Sequence, residues 1–418
     1  MVEPNGPRWP AYVTRLHLQS IRGFSDLDLS FSDGGDRPRM RTLVIGKNGT
    51  CKTTLLRSLA LGLANAFEGS ALLEGKFPEF VQHGADTGTI SVFYTRADRQ
   101  GSSSSITRRL HRKQQLENGQ WGPVNEAEGG WSPFFVAYGA GRFSGGEKAR
   151  SPSRYSAASA AAGLFNQTLP LSDPELTLRR LRDFQGTHFY ERTLAGIKAL
   201  LGLSEEDSIE VRKGGGVEVS GPSVGEPIEL DAWADGYRVT FTWLLDFYGW
   251  AMTAGAIDEE GVVRGLLLVD ELEQHLHPSM QAQVLPRLSK LLPAVQIVAT
   301  THSPLTALGA EPEELVALHR RSDGTVEVVS APDYRLYSAE DMLTDERLFD
   351  TSPYSEAVRQ ANQEYVELAA IPAPERQTAE ESRLRSLAQR LSSGPEQDDP
   401  AVAALAEMKS ILARHGIS

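Results

Sequence analysis

Near its start the chain alternates hydrophobic and polar residues as two strands would, over residues 13–20 and 27–31. An apolar strand at residues 42–45 leads through a glycine-containing loop into a helical pattern. The apolar face of that helix consists of Leu55, Leu56, Leu59 and Leu63. The pattern predicts a β-rich N-terminal lobe that contains a strand–loop–helix unit.

The middle of the chain changes from strand-like to helical patterns. Strand-like segments recur within residues 90–136, and the serine-rich residues 101–105 are predicted to be a hairpin tip. Residues 145–163 are rich in serine, glycine and alanine, which is typical of a mobile connection, and residues 174–203 have a helical pattern. We therefore expect an inserted helical subdomain over residues 146–205.

The next part of the chain predicts a β-α-β unit behind a long core helix. The apolar residues 239–256 are interrupted by Asp246 and lack basic flanks, so we expect a buried helix and not a membrane span. A hairpin around residues 214–216 precedes this helix. A strand, a helix and a strand follow at residues 265–271, 279–292 and 295–301. Their crossover should be right-handed, which makes the sheet at least partly parallel.

These patterns divide the chain into four expected segments. Residues 1–145 and 206–335 would form the two halves of one α/β domain, with residues 146–205 inserted between them. Residues 336–418 would form a helical C-terminal extension, in which Thr378 and Glu381 predict a capping box and Asp399 begins a last helix.

Net charge, cysteine content and the first residues limit the classes of function that the chain can have. The formal net charge of −13 argues against a protein that coats nucleic acid over its whole surface, although local basic clusters at residues 108–113 and 179–182 leave DNA open as a partner. Cys51 is the only cysteine, so no disulfide can form within one chain. The first residues lack the apolar core of a secretory signal. We expect a cytoplasmic protein that does not bind a membrane.

The glycine-containing loop has the spacing of a phosphate-binding loop between a strand and a helix. In that context backbone amides and a helix N-terminus converge on one anion. Lys52 would contact the β- and γ-phosphates of a nucleotide, and the hydroxyl of Thr53 would bind Mg²⁺. The loop residues are Gly46, Lys47, Asn48, Gly49, Thr50, Cys51, Lys52, Thr53 and Thr54.

Cys51 occupies a position that is glycine in the strict motif. It is interpreted either as a small side chain that is tolerated near phosphate, or as a thiol whose reactivity is raised by Lys52 and the helix N-terminus. The sequence favours the first interpretation.

Two later strands end in polar residues of the kind that phosphoryl transfer needs. Asp270 and Glu271 follow an apolar strand, where Asp270 would bind Mg²⁺ and Glu271 would orient or deprotonate the attacking water. His302 ends the next strand and could contact the γ-phosphate. The neighbouring Glu273, His275 and His277 are a weaker candidate for a metal site, because a third His or Cys at ligand spacing is missing.

The order of five segments resembles the ATPase heads of the ABC class. IRGF, GKNGTCKTT, ADGYR, LLLVDELEQHLHP and ATTHSP follow one another as they do in the structural-maintenance-of-chromosomes (SMC), RecF and OLD proteins. Compact bacterial ATPases of antiphage defence, such as the Septu ATPase, resemble the chain further, in DE-x-E-x-HLHP, VAYGAGR and SAEDMLTDERLF. The resemblance covers residues 12–350.

This resemblance implies a fold, cofactors and an assembly. The fold would be an α/β ABC-ATPase head with a mixed, partly parallel sheet, a β-rich N-terminal lobe, an inserted helical subdomain and a helical extension. ATP and Mg²⁺ would be bound, with Arg22 as a further nucleotide contact. Asp235 and Gly236 would belong to a signature segment that reaches the γ-phosphate on the opposite subunit, although the family's usual serine is Ala234 here. Residues 273–278 would cross the same interface.

The resemblance therefore implies a homodimer, or a higher even-numbered oligomer, linked by ATP. The leading hypothesis is a slow ATPase that controls a separate effector protein, a nuclease, in antiphage defence or genome surveillance. Alternatives are a RecF-like ATPase of DNA repair and a nucleotide-dependent scaffold with little hydrolysis. A transporter subunit is disfavoured by the altered signature segment and by the acidic HLHP segment.

Overall fold

The computed structural model describes residues 10–35, 37–73, 77–96, 103–111, 133–142, 154–184, 186–352, 354–372, 374 and 376–392. The chain forms two compact units, Met1–Thr351 and Ser352–Ser418. The division into four segments stays a prediction: the first unit includes the first three segments and the beginning of the fourth, residues 336–351.

An antiparallel sheet lies in the N-terminal part of the first unit. Its strands, in the spatial order β2-β1-β4-β5, are β1 (Ala11–Ile21), β2 (Phe24–Ser30), β4 (Thr87–Arg96) and β5 (Ser103–His111). Alternate residues such as Leu16 and Leu18 are fully buried, as the sequence pattern predicts. The predicted hairpin tip was partly wrong, because Ser103 and its two successors pair within the sheet as part of β5.

A second sheet of six strands carries the site described below. Its strands are β3 (Arg41–Ile45), β6 (Phe135–Tyr138), β10 (Gly265–Val269), β11 (Val295–Thr300), β12 (Leu315–Arg320) and β13 (Val326–Val329). The spatial order is β13-β12-β3-β11-β10-β6, and every neighbouring pair is parallel except β12 with β13. The predicted mixed, partly parallel sheet is confirmed.

The inner strands of this sheet are almost wholly buried, and α1 and α4 contact the sheet directly. The helices in this part of the unit are α1 (Lys52–Leu63), α2 (Ala66–Leu73), α3 (Phe77–Phe80), α4 (Ala157–Phe165), α8 (Pro278–Leu291), α9 (Pro304–Leu308) and α10 (Ala339–Thr344). The α1 leucines predicted to share one face are all buried.

A helical group with a small sheet completes the first unit. Its elements are α5 (Pro174–Asp183), α6 (Thr187–Leu201), α7 (Asp235–Ala254), and the antiparallel strands β7 (Ser208–Val211), β8 (Val217–Gly221) and β9 (Gly225–Glu229). The sequence did not predict β9 or the break between α5 and α6, where Gly186 has a positive φ of 83°.

The helix α7 is the predicted core helix. Its buried Asp246 accepts hydrogen bonds from the Tyr138 hydroxyl at 2.7 Å and the Ser172 amide at 2.9 Å, which explains a carboxylate in an apolar run. Within the part of the chain that the structure describes, no helix is long and apolar enough to cross a membrane.

The described residues of the second unit form a pair of helices, α11 (Glu356–Ala370) and α12 (Thr378–Ser392). Arg383 donates two hydrogen bonds to the carboxylate of Glu364 between them, at 2.6 and 2.7 Å. The predicted cap is displaced by one residue, because the Gln377 amide donates to Glu380. The predicted last helix from Asp399 and residues 145–153 of the predicted mobile connection lie outside the described residues. The rest of that connection was partly wrong, because residues 157–163 belong to the helix α4, most of whose alanines pack in the core.

Candidate active site

Four neighbouring strands of the parallel sheet end at one edge, and each is followed by a residue of the site. β3 leads into the phosphate loop, β11 into His302, β10 into Asp270 and Glu271, and β6 into Arg142. These strands are adjacent in the order β3-β11-β10-β6. Because carboxyl ends of parallel strands meet at one edge, residues far apart in sequence come together there.

The phosphate loop depends on three residues with positive φ. Gly46 has a φ of 150°, and a Cβ there would meet the Leu318 carbonyl oxygen at 2.5 Å. Gly49 has a φ of 85°. Cys51 has a φ of 64°, the left-handed conformation, immediately before α1 begins. This conformation explains why the strict motif has glycine at this position.

The Cys51 side chain lies against the turn that joins β1 to β2. A Cβ built on Gly23 would be 2.9 Å from the Cys51 Sγ atom. Cys51 is half-buried and packs on the apolar core beneath α1. This packing agrees with a small structural side chain.

Lys52 is buried inside the loop. Its Nζ atom donates to the carbonyl oxygens of Gly46 at 2.6 Å and Lys47 at 3.1 Å. Burial lowers the pKa of Lys52 to about 8, although Asp270 and Glu271 act in the opposite direction. The ammonium group is thus held where the loop closes, and it is poorly solvated.

A hydroxyl and a carboxylate meet beside Lys52 in the arrangement that a hard cation needs. Thr53 Oγ1 donates to Asp270 Oδ2 at 2.7 Å, and Thr300 Oγ1 donates to Asp270 Oδ1 at 2.6 Å. Mg²⁺ prefers such oxygen ligands, and at phosphate sites it takes one or two of them from the protein. Thr53 and Asp270 therefore fit a magnesium ion that is shared with a nucleotide.

Glu271 follows Asp270 with a backbone φ of 49°, and its amide donates to Thr300 Oγ1 at 2.9 Å. Burial raises the pKa of its carboxyl group, and the negative charges of Asp270 and Glu273 raise it further. A positioned carboxyl group with a raised pKa is suited to accept a proton from water.

The buried side chain of Arg142 holds the backbone of both acidic residues. It donates to the carbonyl oxygen of Asp270 at 2.8 Å and to that of Glu271 at 2.7 Å. Burial lowers the pKa of Arg142 to about 10, with the site carboxylates opposing. The guanidinium group also lies 6.0 Å from the ring centroid of Trp243. The role of Arg142 was not predicted from the VAYGAGR motif, because a hydrogen bond to a backbone carbonyl does not depend on the type of the residue that accepts it.

His302 lies beside Lys52, with its Nδ1 atom 3.5 Å from Nζ. The His302 amide donates to Glu273 Oε1 at 2.7 Å, so Glu273 fixes the backbone that carries the histidine. Burial and the charge of Lys52 lower the pKa of His302. Its neutral ring could accept or donate one hydrogen bond at a phosphate oxygen.

His275 and His277, which lie near this site in the sequence, differ in their local structure. His277 is the N-cap of α8, with its Nδ1 atom 2.8 Å from Ser279 Oγ. His275 has a φ of 69°. Groups of three potential His, Cys, Asp or Glu ligands are not found among the described residues. The capping hydrogen bond therefore accounts for His277 without a metal.

The predicted signature segment forms the start of α7. Ala234 is its N-cap and provides no side-chain hydrogen bond, while Asp235 pairs with Arg238 at 2.7 Å. Both Ala234 and Asp235 are exposed. A Cβ on Gly236 would lie 2.2 Å from the His275 carbonyl oxygen, so only glycine allows this approach. The signature segment and residues 273–278 are therefore in direct backbone contact.

Two predicted nucleotide contacts have protein partners of their own. Lys47 forms an ion pair with Asp350, and both side chains are partly exposed. Arg22 donates from Nε to the Glu79 carbonyl oxygen at 3.2 Å and lies over the Phe80 ring, 5.2 Å from its centroid. The structure therefore places Arg22 in a cleft lined by α1–α4.

Arginines of both predicted basic clusters form hydrogen bonds or ion pairs within the chain. Arg108 is buried and donates to the Ala64 carbonyl oxygen at 2.7 Å. Arg179 forms an ion pair with Glu175 at 2.8 Å, and Arg180 donates to Thr253 Oγ1 at 3.1 Å. Arg112 and Lys113 lie outside the described residues.

Comparison with known proteins gives matches along most of the chain. A family model described as "AAA domain, putative AbiEii toxin, Type IV TA system" matches residues 41–308. "Septu protein PtuA" of Bacillus mycoides (strain KBAB4) is 24% identical over 393 residues, which cover 91% of this chain and 50% of that protein. The chain thus spans about half the length of this relative.

Shorter and structural matches were also found. "Retron Ec83 probable ATPase" of Escherichia coli is 50% identical over 40 residues, which cover 10% of this chain and 7% of that protein. The solved structure "SMC head domain from Thermotoga maritima" is similar over 77% of this chain and 99% of that chain, with 13% identity and a TM-score of 0.45.

Proposed function

Because the chain belongs to the family described as "AAA domain, putative AbiEii toxin, Type IV TA system", we propose that it is an ATP-binding and ATP-hydrolysing switch that dimerises on ATP and controls a partner effector. The observation that carries the proposal is the meeting of Lys52, Thr53 and Asp270 at one sheet edge, with Glu271 and His302 beside them.

Each residue has a defined task in this proposal. Lys52 and the loop amides bind the β- and γ-phosphates, and Thr53 and Asp270 hold Mg²⁺, which supplies charge neutralisation when it is bound. Glu271 orients the attacking water and accepts its proton, while Arg142 keeps the Glu271 backbone in place. His302 donates or accepts a hydrogen bond at the γ-phosphate. We expect slow turnover, because Ala234 offers no hydroxyl at the start of α7.

The proposed dimer would place the exposed start of α7 against the nucleotide of a second copy. No side chain of the N-cap residue caps this helix, and a helix N-terminus of this kind favours an anion. The contact of Gly236 with His275 supports this arrangement, because it keeps both proposed interface segments together.

Glu271→Gln tests the site and the dimer together. The amide cannot accept the proton but leaves the phosphate contacts intact, so we expect phosphate release to fall by about 100-fold. With ATP and Mg²⁺ the variant should elute as a dimer whose mass is checked by light scattering. Glu259→Gln, at an exposed loop position, is the matched control. A Glu271→Gln variant that stays monomeric with ATP would contradict the composite site.

The partner effector is proposed from two relatives, which are named as a Septu protein and a retron ATPase. We propose a role in antiphage defence with a separate nuclease. A host carrying this gene with its genomic neighbours should lose protection against phage when Lys52 is replaced by alanine. Protection that is unchanged in the Lys52→Ala strain would contradict a nucleotide-controlled role in defence.

A nucleotide-dependent scaffold is the second candidate. Ala234 at the α7 N-cap and Cys51 in the phosphate loop favour it, since both depart from the hydrolytic pattern. In that case ATP should produce the dimer, but wild type and Glu271→Gln should release phosphate at the same low rate. A RecF-like role would instead require DNA binding that weakens steeply with salt.

A further inference from the structure

A second cavity, apart from the phosphate loop, lies among α1, α2, α3 and α4 and the β1–β2 turn. Its volume is about 280 Å³. Leu72, Phe80, Ala162 and Phe165 supply apolar walls, and Arg22 and Arg57 supply the basic side chains. This volume is near the lower limit of small-molecule sites, about 300 Å³.

Each of the two arginines is fixed by a backbone carbonyl oxygen and an aromatic ring. Arg57 donates from Nε to the Leu164 carbonyl oxygen at 2.9 Å, and its guanidinium carbon lies 5.5 Å from the Phe165 ring centroid. Arg22 has the corresponding pair of contacts with the Glu79 carbonyl oxygen and the Phe80 ring. Each Nε atom is therefore used by the protein, whereas the terminal nitrogens can still donate to a ligand.

The two arginines of this cavity form no ion pair within the described part of the chain. Neither Arg22 nor Arg57 forms an ion pair with a described carboxylate. Glu79 is the one carboxylate among the described lining residues, and its side chain is exposed. Burial lowers the pKa of Arg57 and the like charge of Arg22 lowers it further, while the negative charge of Asp270 acts in the opposite direction. An anion between the two guanidinium groups would offset this repulsion.

We propose that this cavity binds a phosphate monoester that carries a flat apolar body. A nucleoside monophosphate and the phosphorylated 5′ end of a nucleic acid strand share this chemistry. Arginine recognises phosphate through paired hydrogen bonds, and the walls formed by Leu72 and Ala162 can cover a planar group. The proposal does not depend on ATP hydrolysis at the phosphate loop.

Calorimetric titration of the full chain with AMP tests the proposal. The Lys52→Ala variant weakens the phosphate loop, and we expect it to retain one saturable AMP site. Arg57→Gln in the same background should weaken AMP binding by about tenfold or more, since a charge-assisted hydrogen-bond pair is lost. Arg179→Gln, at an exposed position on α5, should leave binding unchanged and is the matched control.

A second variant keeps both charges and fills the space. Ala162→Leu should weaken AMP binding at least as strongly as Arg57→Gln, while thermal unfolding shows that the fold is intact. Adenosine and inorganic phosphate should each bind more weakly than AMP. A 5′-phosphorylated trinucleotide that binds more tightly than AMP identifies a strand end as the source, and equal binding identifies a free nucleotide.

Three results would overturn the proposal. They are absence of saturable AMP binding in Lys52→Ala, equal affinity in Arg57→Gln and Arg179→Gln, and equal affinity for AMP and adenosine. The first would assign any wild-type AMP binding to the phosphate loop and would leave the proposed ATPase function untouched.

Discussion

Nucleotide affinity should fall as pH rises through the pKa of Lys52. Its ammonium group is buried among backbone carbonyls, and this burial lowers its pKa from 10.5 to about 8. Only the protonated form attracts phosphate. The protonated fraction is about nine-tenths at pH about 7 and is ten times lower, roughly, at pH about 9. Affinity should therefore fall about tenfold, which corresponds to about 1.4 kcal/mol.

The other shifted groups near Lys52 are kept constant by one control. Burial lowers the pKa of His302 and raises that of Glu271. Lys52→Arg retains both groups, and its own side chain stays charged throughout this range. A pH dependence that is present in the wild type and absent in this variant is therefore assigned to Lys52.

The assay is titration with a fluorescent, non-hydrolysable ATP analogue across this pH range. Lys52→Arg is the control, because arginine stays charged and its affinity, even if lower, should not depend on pH. Calorimetry in buffers of different ionisation enthalpy should also detect uptake of about half a proton at pH about 8. Wild-type affinity that changes less than twofold, or an equal fall in Lys52→Arg, would refute the reasoning.

Three further substitutions test the contacts that shape the site. Arg142→Met should lower the free energy of unfolding by about 2–4 kcal/mol, since two buried carbonyls lose their donor, and denaturant titration against Arg179→Met checks it. Gly236→Ala should cost about 1–3 kcal/mol and weaken the ATP-dependent dimer, whereas Gly249→Ala, whose Cβ has ordinary contacts, should not. Cys51→Gly should raise stability by up to about 1 kcal/mol by relieving the positive φ; a loss of stability would show that the packing of Sγ outweighs the strain.

The fold was largely predictable from periodicity. Buried parallel strands have short apolar sequences, and polar residues follow β3, β10 and β11. The edge of the sheet that carries the site could therefore be predicted from the sequence. The family match confirms the resemblance over residues 41–308. The strand β9 was missed because its sequence, GEPIE, is exposed and contains proline, which is depleted in strands.

The site was predictable only where side chains do the chemistry. Lys52, Thr53 and Asp270 were predicted from their positions in the sequence. In the structure Thr53 is hydrogen-bonded to Asp270, and Lys52 is hydrogen-bonded to the carbonyl oxygen of Gly46 in the phosphate loop. Arg142 and Glu273 act on the backbone of other residues, at Glu271 and His302. Such contacts depend on which strands are neighbours, and single-sequence patterns do not specify strand order.

The contacts that sequence could not predict connect the separate parts of the site. Arg142 joins the end of β6 to the acidic residues after β10, and Glu273 joins the same segment to His302 after β11. Gly236 joins it to the start of α7. Each contact has backbone atoms on at least one side, and the contact of Gly236 with His275 has them on both. We therefore expect a ligand that moves the start of α7 to act on residues 271–278, and through the side chains of Glu273 and Arg142 on His302 and the Glu271 backbone. This connection gives the proposed switch a physical route from the interface to the water-activating carboxylate.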